Sequence, residues 1–267
     1  MTEKNQIDRY TIISRLHDIE VENNVTVLYA VESGSRAWGF ESRNSDWDVR
    51  FIYVPKLEWY LRVDNQRDVI ELMDGDLDFS GWELRKTLML LKKSNPSLLE
   101  WLKSPIIYYT DEDFRERIQG VMSEFFNPIA SMYHYNHLYK GNDEHYLQRE
   151  ECSMKRFLYY LRGVLACQWI ERYSTQPPVL FAELVDALVD DEEIKRKIGE
   201  LIRLKKDGEE HDMSVVNNQL MDYARGLADH YNEYIQEFRP EKHGRSTKNL
   251  DSILYEMVLN HSQLLGK

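Results

Sequence analysis

Residues 25–54 read VTVLYAVESGSRAWGFESRNSDWDVRFIYV. Val25–Val31 is a short apolar run rich in β-branched residues, the pattern of a buried strand. Glu32-Ser33-Gly34-Ser35 ends it, Arg36–Phe40 reads as a short helical turn, and Asp46–Val54 alternates like a second strand until Pro55 stops it. A strand therefore delivers Gly34-Ser35 to a tight turn that leads into a helix. Glycine lets backbone approach a phosphate closely, while the Ser35 hydroxyl and the following N–H groups can donate to its oxygens. Eleven positions after Ser35 comes Asp46, and Asp48 shares its face because strand side chains alternate. Two carboxylates so placed repel each other unless a cation lies between them. Mg2+ suits such a pair, since it prefers oxygen donors shared between carboxylates and substrate phosphates. Two such ions stabilise both the attacking and the leaving oxygen of a phosphoryl-type transfer. A Gly-Ser alone marks a turn and an Asp-x-Asp alone marks a strand edge; their conjunction at this spacing carries the chemistry.

Outward from this stretch, Tyr10–Glu22 places Ile12, Ile13, Leu16 and Ile19 at helical spacing. Val69–Met73 and Asp76–Phe79 flank Asp74-Gly75, a hairpin turn signal, and Trp82–Lys92 follows as an amphipathic helix. Beyond Ser104-Pro105 and the short apolar Ile106–Tyr109 the pattern is helical: Asp113–Phe126, Gln148–Glu171, Phe181–Val189, Asp191–Lys206, Val215–Phe238 and Leu250–Leu265. The expected class is α+β, with an α/β domain over residues 1–120 and an all-helical domain over residues 121–267, the boundary falling near 110–125.

The chain has 267 residues, 42% hydrophobic and 30% charged, with a formal net charge of −12. That field repels polyphosphate and argues against general adhesion to DNA, RNA or an acidic membrane, though not against a nucleotide arriving as its magnesium complex. Cys152 and Cys167 lie fifteen positions apart with no Cys/His ligand pair nearby, so two separate thiols in a reducing compartment are expected. The first residues carry no apolar signal stretch, and no apolar run approaches the ~20 residues of a membrane span. Even Phe157–Ile170 is broken by Arg162. The expected location is the cytoplasm.

Glu32–Val54 resembles the signature of the DNA polymerase β-type nucleotidyltransferase superfamily, hG[GS], a spacer, then Dh[DE]h. More closely, GSRAWGF followed by SDWDVR is similar to the bacterial RNA-repair-associated nucleotidyltransferases, the RlaP/YcgL-like family. The similarity is specific over residues 32–54 and looser through LDFSGWELRK (77–86) and NPSLLEWLKSP (95–105). It implies a mixed-sheet nucleotidyltransferase domain followed by helices. Gly34 and Ser35 would bind the triphosphate, and Asp46 and Asp48 would hold Mg2+ or Mn2+. A third carboxylate on a later strand would activate the attacking group or complete the metal site. If Leu77 and Phe79 face the core, Asp76 and Asp78 turn to the opposite face, with Glu71 on the preceding strand. Asp78, deeper in the strand, is the choice and Asp76 the alternative. The implied reaction moves a nucleoside monophosphate from an NTP, ATP foremost, to an acceptor: an RNA end, a protein side chain or a small molecule.

Other residues have weaker claims. Arg36 can pair with a phosphate or form a surface salt bridge, Arg43 and Asn44 can reach a nucleotide, and Arg50 shares the aspartate face and can balance it. Trp38 and Trp47 read as packing residues. Lys155, Tyr159 and Arg162 fall at i, i+4 and i+7 on one helix face beside a stripe of Leu158, Leu161, Leu165 and Trp169. Superfamily members use a helical domain to supply cations to the triphosphate, which makes Lys155 and Arg162 nucleotide-binding candidates. His134 and His137 lack a third ligand at a diagnostic spacing, and Arg239–Lys248 is a locally basic loop. Two other readings stand beside an enzyme with a free acceptor: a silent nucleotide-binding regulatory module, and a transferase that modifies a small helical partner protein.

Overall fold

Asp8 accepts the Thr11 N–H and opens helix α1 (Arg9–Asn23), which ends where Asn24 turns left-handed at φ 53°. The chain continues as β1 (Val25–Glu32), α2 (Gly34–Trp38), β2 (Trp47–Pro55), α3 (Leu57–Tyr60), β3 (Val69–Asp74) and β4 (Leu77–Glu83). Gly75, at φ 62°, makes the β3–β4 turn. Then come α4 (Leu84–Lys92), α5 (Pro96–Leu102), β5 (Ile107–Thr110) and α6 (Glu112–Phe125). This computed structural model describes residues 7–142, 153–208, 218–238 and 246–262.

The five strands form one sheet in the order β3-β4-β2-β1-β5. β2 and β4 run parallel and every other neighbouring pair is antiparallel, so the sheet is mixed, as expected for the α+β class. Alternation divides its faces. Val27, Ala30, Val49, Phe51, Leu77 and Phe79 meet Ile12, Leu16 and Ile19 of α1. Leu28, Val31, Ile52 and Val54 meet α4, α5 and α6 on the other side. Asp48 and Asp78 belong to that second face by parity, beyond the end of its apolar packing.

The second half is built from α7 (Pro128–Asn142), α8 (Met154–Tyr173), α9 (Phe181–Leu188), α10 (Glu192–Asp207) and α11 (Asn218–Tyr234), with a 3-10 turn at Ile235–Glu237. α8 runs through its centre, with Leu158, Leu161, Leu165 and Cys167 fully buried. Cys152 lies outside the described residues. The following helix, α12 (Lys248–Ser262), leaves this bundle. Leu250, Ile253, Met257 and Val258 pack into the core beside the sheet, with Leu84, Leu88, Phe114 and Ile118. Lys56 donates to the His261 carbonyl at 3.1 Å, and the Leu57 N–H to the Ser262 hydroxyl at 3.1 Å.

Besides the single turn of α3, three elements depart from the sequence expectation. Trp82 is not the first residue of a helix but pairs with Val69 inside the sheet; Glu83 accepts from the Arg85 and Lys86 N–H groups and starts α4 there. α5 is too short to show a period, yet Asn95 caps it and Pro96 holds its first turn. α7 buries Met132, Tyr135 and Tyr139, so tyrosines replace the aliphatic stripe that betrays a helix. Among the described residues, no helix is long and apolar enough to cross a membrane.

Candidate active site

Gly34 sits at φ 59°, and a Cβ added to it would lie 2.1 Å from Asp48 Oδ2. Glycine is required twice over: for the left-handed backbone, and for space against a carboxylate. The Ser33 N–H donates to the Asp48 carbonyl at 2.9 Å, and the Asp48 N–H donates to Glu32 Oε1 at 2.8 Å. The backbone of Asp48 is thus fixed from both sides by the turn that precedes α2. Ser35 is buried, and its carbonyl accepts the Phe40 N–H at 3.0 Å.

The parallel register sets Asp48 directly opposite Asp78. Between them lies Arg50, whose Nη2 is 2.9 Å from Asp48 Oδ1 and 2.8 Å from Asp78 Oδ2, while Nη1 donates to the Asp78 carbonyl at 2.9 Å. Burial raises the pKa of Asp48; Arg50 opposes that rise, the negative charges of Asp78 and Asp46 reinforce it, and Lys155 opposes it. Asp46 is exposed at the mouth of the strand, and Asp76 is exposed in the β3–β4 turn, its carbonyl accepting the Trp47 N–H at 2.9 Å. Of the two third-carboxylate candidates, Asp78 is the one held through Arg50 to Asp48.

Among the described residues, no three His, Cys, Asp or Glu side chains form a ready-made metal cage. The donors still suit a hard cation. Asp48 turns Oδ1 to Arg50 and Oδ2 toward Gly34, with exposed Asp46 two residues away on the same face. Mg2+ commonly binds through one or two carboxylates and completes its shell with water and substrate phosphates.

The cations have separate tasks. Arg36 donates from Nε to the Asp46 carbonyl at 3.1 Å and from Nη2 to the Ser45 carbonyl at 2.8 Å, and lies 3.9 Å over the Trp47 ring. It pins the spacer that presents Asp46; Arg43 and Asn44 are exposed in the same spacer. Lys155 is exposed near the start of α8, close enough for its charge to lower the Asp48 pKa. Arg162, two turns on, is only 3% exposed. Its Nη1 meets Glu100 Oε1 at 2.7 Å and its guanidinium covers the Trp38 ring at 4.4 Å. Trp38 Nε1 donates to the other Glu100 oxygen at 3.1 Å, and Tyr135 to Oε1 at 2.8 Å. Tyr159 meets Trp38 edge-on at 4.7 Å. Lys155, Tyr159 and Arg162 do share the face turned to α2, but Arg162 is spent on joining the two halves.

Two functional candidates escaped the sequence reading. Glu32 is fully buried, and burial drives its pKa up to about 7 against the hydrogen bonds from Tyr108 and the Asp48 N–H. Its signal was a lone acid closing an apolar strand. Glu100 had no comparable signal, because α5 shows no period. His134 and His137 are exposed on α7. Residues 239–245 of the basic loop lie outside the described residues.

A solved nucleotidyltransferase-like protein from Exiguobacterium sibiricum 255-15 aligns over 96% of this chain and 89% of its own, with 11% identity and a TM-score of 0.33, a superposition too loose to bear on the fold. The uncharacterised protein YcgL of Bacillus subtilis (strain 168) is 46% identical over 250 residues, covering 93% of this chain and 94% of that protein. The profile of the RNA repair pathway DNA polymerase beta family matches residues 9–256. With that match across nearly all of its length, the chain belongs to the RlaP family, the RNA repair pathway DNA polymerase beta family.

Proposed function

We propose that the protein is a divalent-metal-dependent nucleotidyltransferase, moving a nucleoside monophosphate from an NTP to an acceptor with release of pyrophosphate. The observation that carries this reading is the approach of Asp48 Oδ2 to Gly34, which leaves no room for a side chain. It sets a carboxylate against a turn whose backbone can receive phosphate. Asp46 and Asp48, with Asp78 beside them, would hold Mg2+ or Mn2+, which supplies charge neutralisation and polarisation of the α-phosphate.

The chain's own groups do the rest. Gly34 and Ser35 receive the triphosphate, and Lys155 offsets the charge that builds on the departing pyrophosphate. Asp78 takes the proton of the attacking hydroxyl as its oxygen bonds to the α-phosphorus and the bond to the β-phosphate oxygen breaks. Arg36 holds Asp46 in place through the spacer, and Arg162 fixes α8 against α2. ATP is the first donor to test and an RNA end the first acceptor, given the family description; a protein side chain and a small molecule follow. A cytoplasmic setting agrees with the net charge of −12 and separate thiols.

The experiment is label transfer from α-labelled NTPs, with Mg2+ or Mn2+, over an acceptor panel. Transfer of α-label but not γ-label, abolished by Asp48→Asn, supports the reading. One observation favours a silent binding module instead: Arg50 neutralises Asp48 and Asp78 without any metal. Nucleotide binding that ignores Mg2+ and yields no transfer would establish that module.

A further inference from the structure

α3 and α4 follow the ends of β2 and β4 that lie away from the aspartates, and a cavity of about 530 Å³ opens between them. Asp48 pairs with Asp78 near the start of the two strands, and Tyr53 with Glu83 near their finish. At ~3.3 Å per residue the step from Asp78 to Glu83 is ~16 Å. Among the described residues, neither the Gly34 turn nor Asp46, Asp48, Asp78 or Lys155 borders this cavity. It is a second cavity, at the other end of the parallel pair.

Its charges are unevenly matched. Of the carboxylates on its wall, Glu83 is buried, its oxygens taken by the Tyr60 hydroxyl and by the Arg85 and Lys86 N–H groups at 2.7 and 3.0 Å. Asp68 meets Lys86 Nζ at 3.0 Å, which leaves exposed Asp64. Against it stand three exposed cations, Arg62, Arg85 and Lys93. Arg62 donates to the Gln66 amide oxygen at 2.9 Å and Arg85 lies 4.9 Å over the Tyr60 ring. Among the described residues none of the three forms an ion pair. In a chain of net charge −12, a cleft lined by unmatched cations focuses the field locally and draws an anion. An Arg fork matches phosphate oxygens two at a time.

The cavity also has an uncharged part. Arg85, Met89 and Lys93 follow at four-residue steps along α4, so the two cations stand ~12 Å apart with exposed Met89 between them. Partly exposed Trp59 lines the same cavity, braced edge-on by Tyr60 at 5.0 Å and 74°. An indole wall takes a planar ring by stacking, and base–aromatic stacking tolerates any base. Asn65 adds an amide that both donates and accepts. The volume suits one ligand that joins a phosphate to a planar ring.

We propose that this cavity binds a nucleotide unit, with phosphate on the rim of Arg62, Arg85 and Lys93 and the base on Trp59. The unit can be a free nucleotide or part of a single strand. The site binds without chemistry and does not depend on the transferase reading. Loss of that reading would leave the cavity standing, and failure of the cavity would leave the aspartates and the Gly34 turn as they are.

The test uses the full-length protein in EDTA, so that no metal–nucleotide complex forms at the aspartates. Calorimetry reads the binding of AMP, adenosine, inorganic phosphate, single-stranded oligoribonucleotides, an Asp-rich peptide and phosphatidylglycerol-containing vesicles. AMP or the strands should bind, at least about tenfold more tightly than adenosine or phosphate alone, and should weaken as NaCl rises. AMP without strands marks a free nucleotide, strands without AMP mark a unit within a chain, and binding by both marks the unit itself; all three support the cavity. Arg85→Glu should lower the affinity about tenfold or more, and Trp59→Leu should lower it while sparing the weak binding of phosphate alone, with Trp59→Phe restoring it. Should Trp59→Leu fail to fold, Arg62→Glu, on an exposed loop, carries the same test. Adenosine binding as well as AMP, a peptide or vesicle binding more tightly than any nucleotide probe, or no binding by AMP or strands overturns the proposal. So does a nucleotide affinity that falls in Lys155→Ala but holds in Arg62→Glu, Arg85→Glu and Lys93→Glu, since that places the ligand at the Gly34 turn.

Discussion

The Arg50 guanidinium bridges Asp48 and Asp78, with Nη2 2.9 Å from one carboxylate and 2.8 Å from the other. A cation built into the strand thus compensates two aspartates that stand abreast in a parallel pair. Replacing it by Met leaves those charges opposed, and the metal-free protein should lose about 1–2 kcal/mol, discounted for partial exposure. Mg2+ should recover more stability in Arg50→Met than in the unchanged protein. Thermal unfolding in EDTA and in MgCl2 checks this; equal metal shifts in both proteins would contradict it.

Gly34→Ala should disable nucleotide binding more than its cost in stability suggests. The new Cβ would fall 2.1 Å from Asp48 Oδ2, and φ 59° adds strain of about 1 kcal/mol. The carboxylate must move away from the Gly34 turn. The expected result is NTP affinity reduced by about tenfold or more, read by calorimetry, with a cooperative melt retained.

Lys155→Ala should leave the fold intact, because the side chain is exposed at the edge of α8. Its effect should appear in the NTP KM, raised roughly tenfold, and deepen in Lys155→Glu, as expected for one lost charge pairing. An unchanged KM with a lowered melting temperature would assign Lys155 to packing.

Arg162→Ala should behave oppositely. Arg162 and Glu100 form a buried pair at 2.7 Å, and breaking such a pair strands a charge at a cost of about 3–5 kcal/mol. Urea unfolding should show that loss, and Glu100→Gln with Arg162→Gln together should recover part of it. A variant as stable as the parent would mean that the interface holds without this pair.

Glu32 predicts a pH signature in the metal-free protein. Its pKa rises from an ordinary 4.5 to about 7, so between those values the folded state binds the extra proton and stability falls as pH increases. The group's whole contribution is at most ~3 kcal/mol. Glu32→Gln should flatten the stability profile between about pH 4.5 and 7, measured by denaturant titration at each pH. A profile with unchanged slope would refute it.

Much of the geometry of the candidate site was legible because strand parity and a glycine turn are local facts. Asp46, Asp48, Gly34 and Ser35 follow from the alternation of β2 and the end of β1, and the Arg50 position follows from the same parity. Asp78 needed only the assumption that Leu77 and Phe79 face α1, and they do. What local pattern could not supply was pairing. The Asp48–Asp78 register is a long-range parallel contact, and the partnership of Arg162 with Glu100 spans 62 positions between two helices. Arg162 therefore read as a free cation on a helix face when it is a buried strut. Trp82 was placed in a helix because the hairpin's second strand, which the local pattern ends at Phe79, runs on to Glu83.

The return of α12 to the sheet ties competence to synthesis. Val54 and Ile52 share a core with Leu250, Ile253 and Met257 as well as with α4, α5 and α6, so that core stays incomplete until the last helix has emerged from the ribosome. A ribosome stalled within the helical half would hold out a chain with every motif residue present and the sheet unfinished. Truncation near residue 120 should likewise yield an aggregating fragment instead of a self-standing α/β domain.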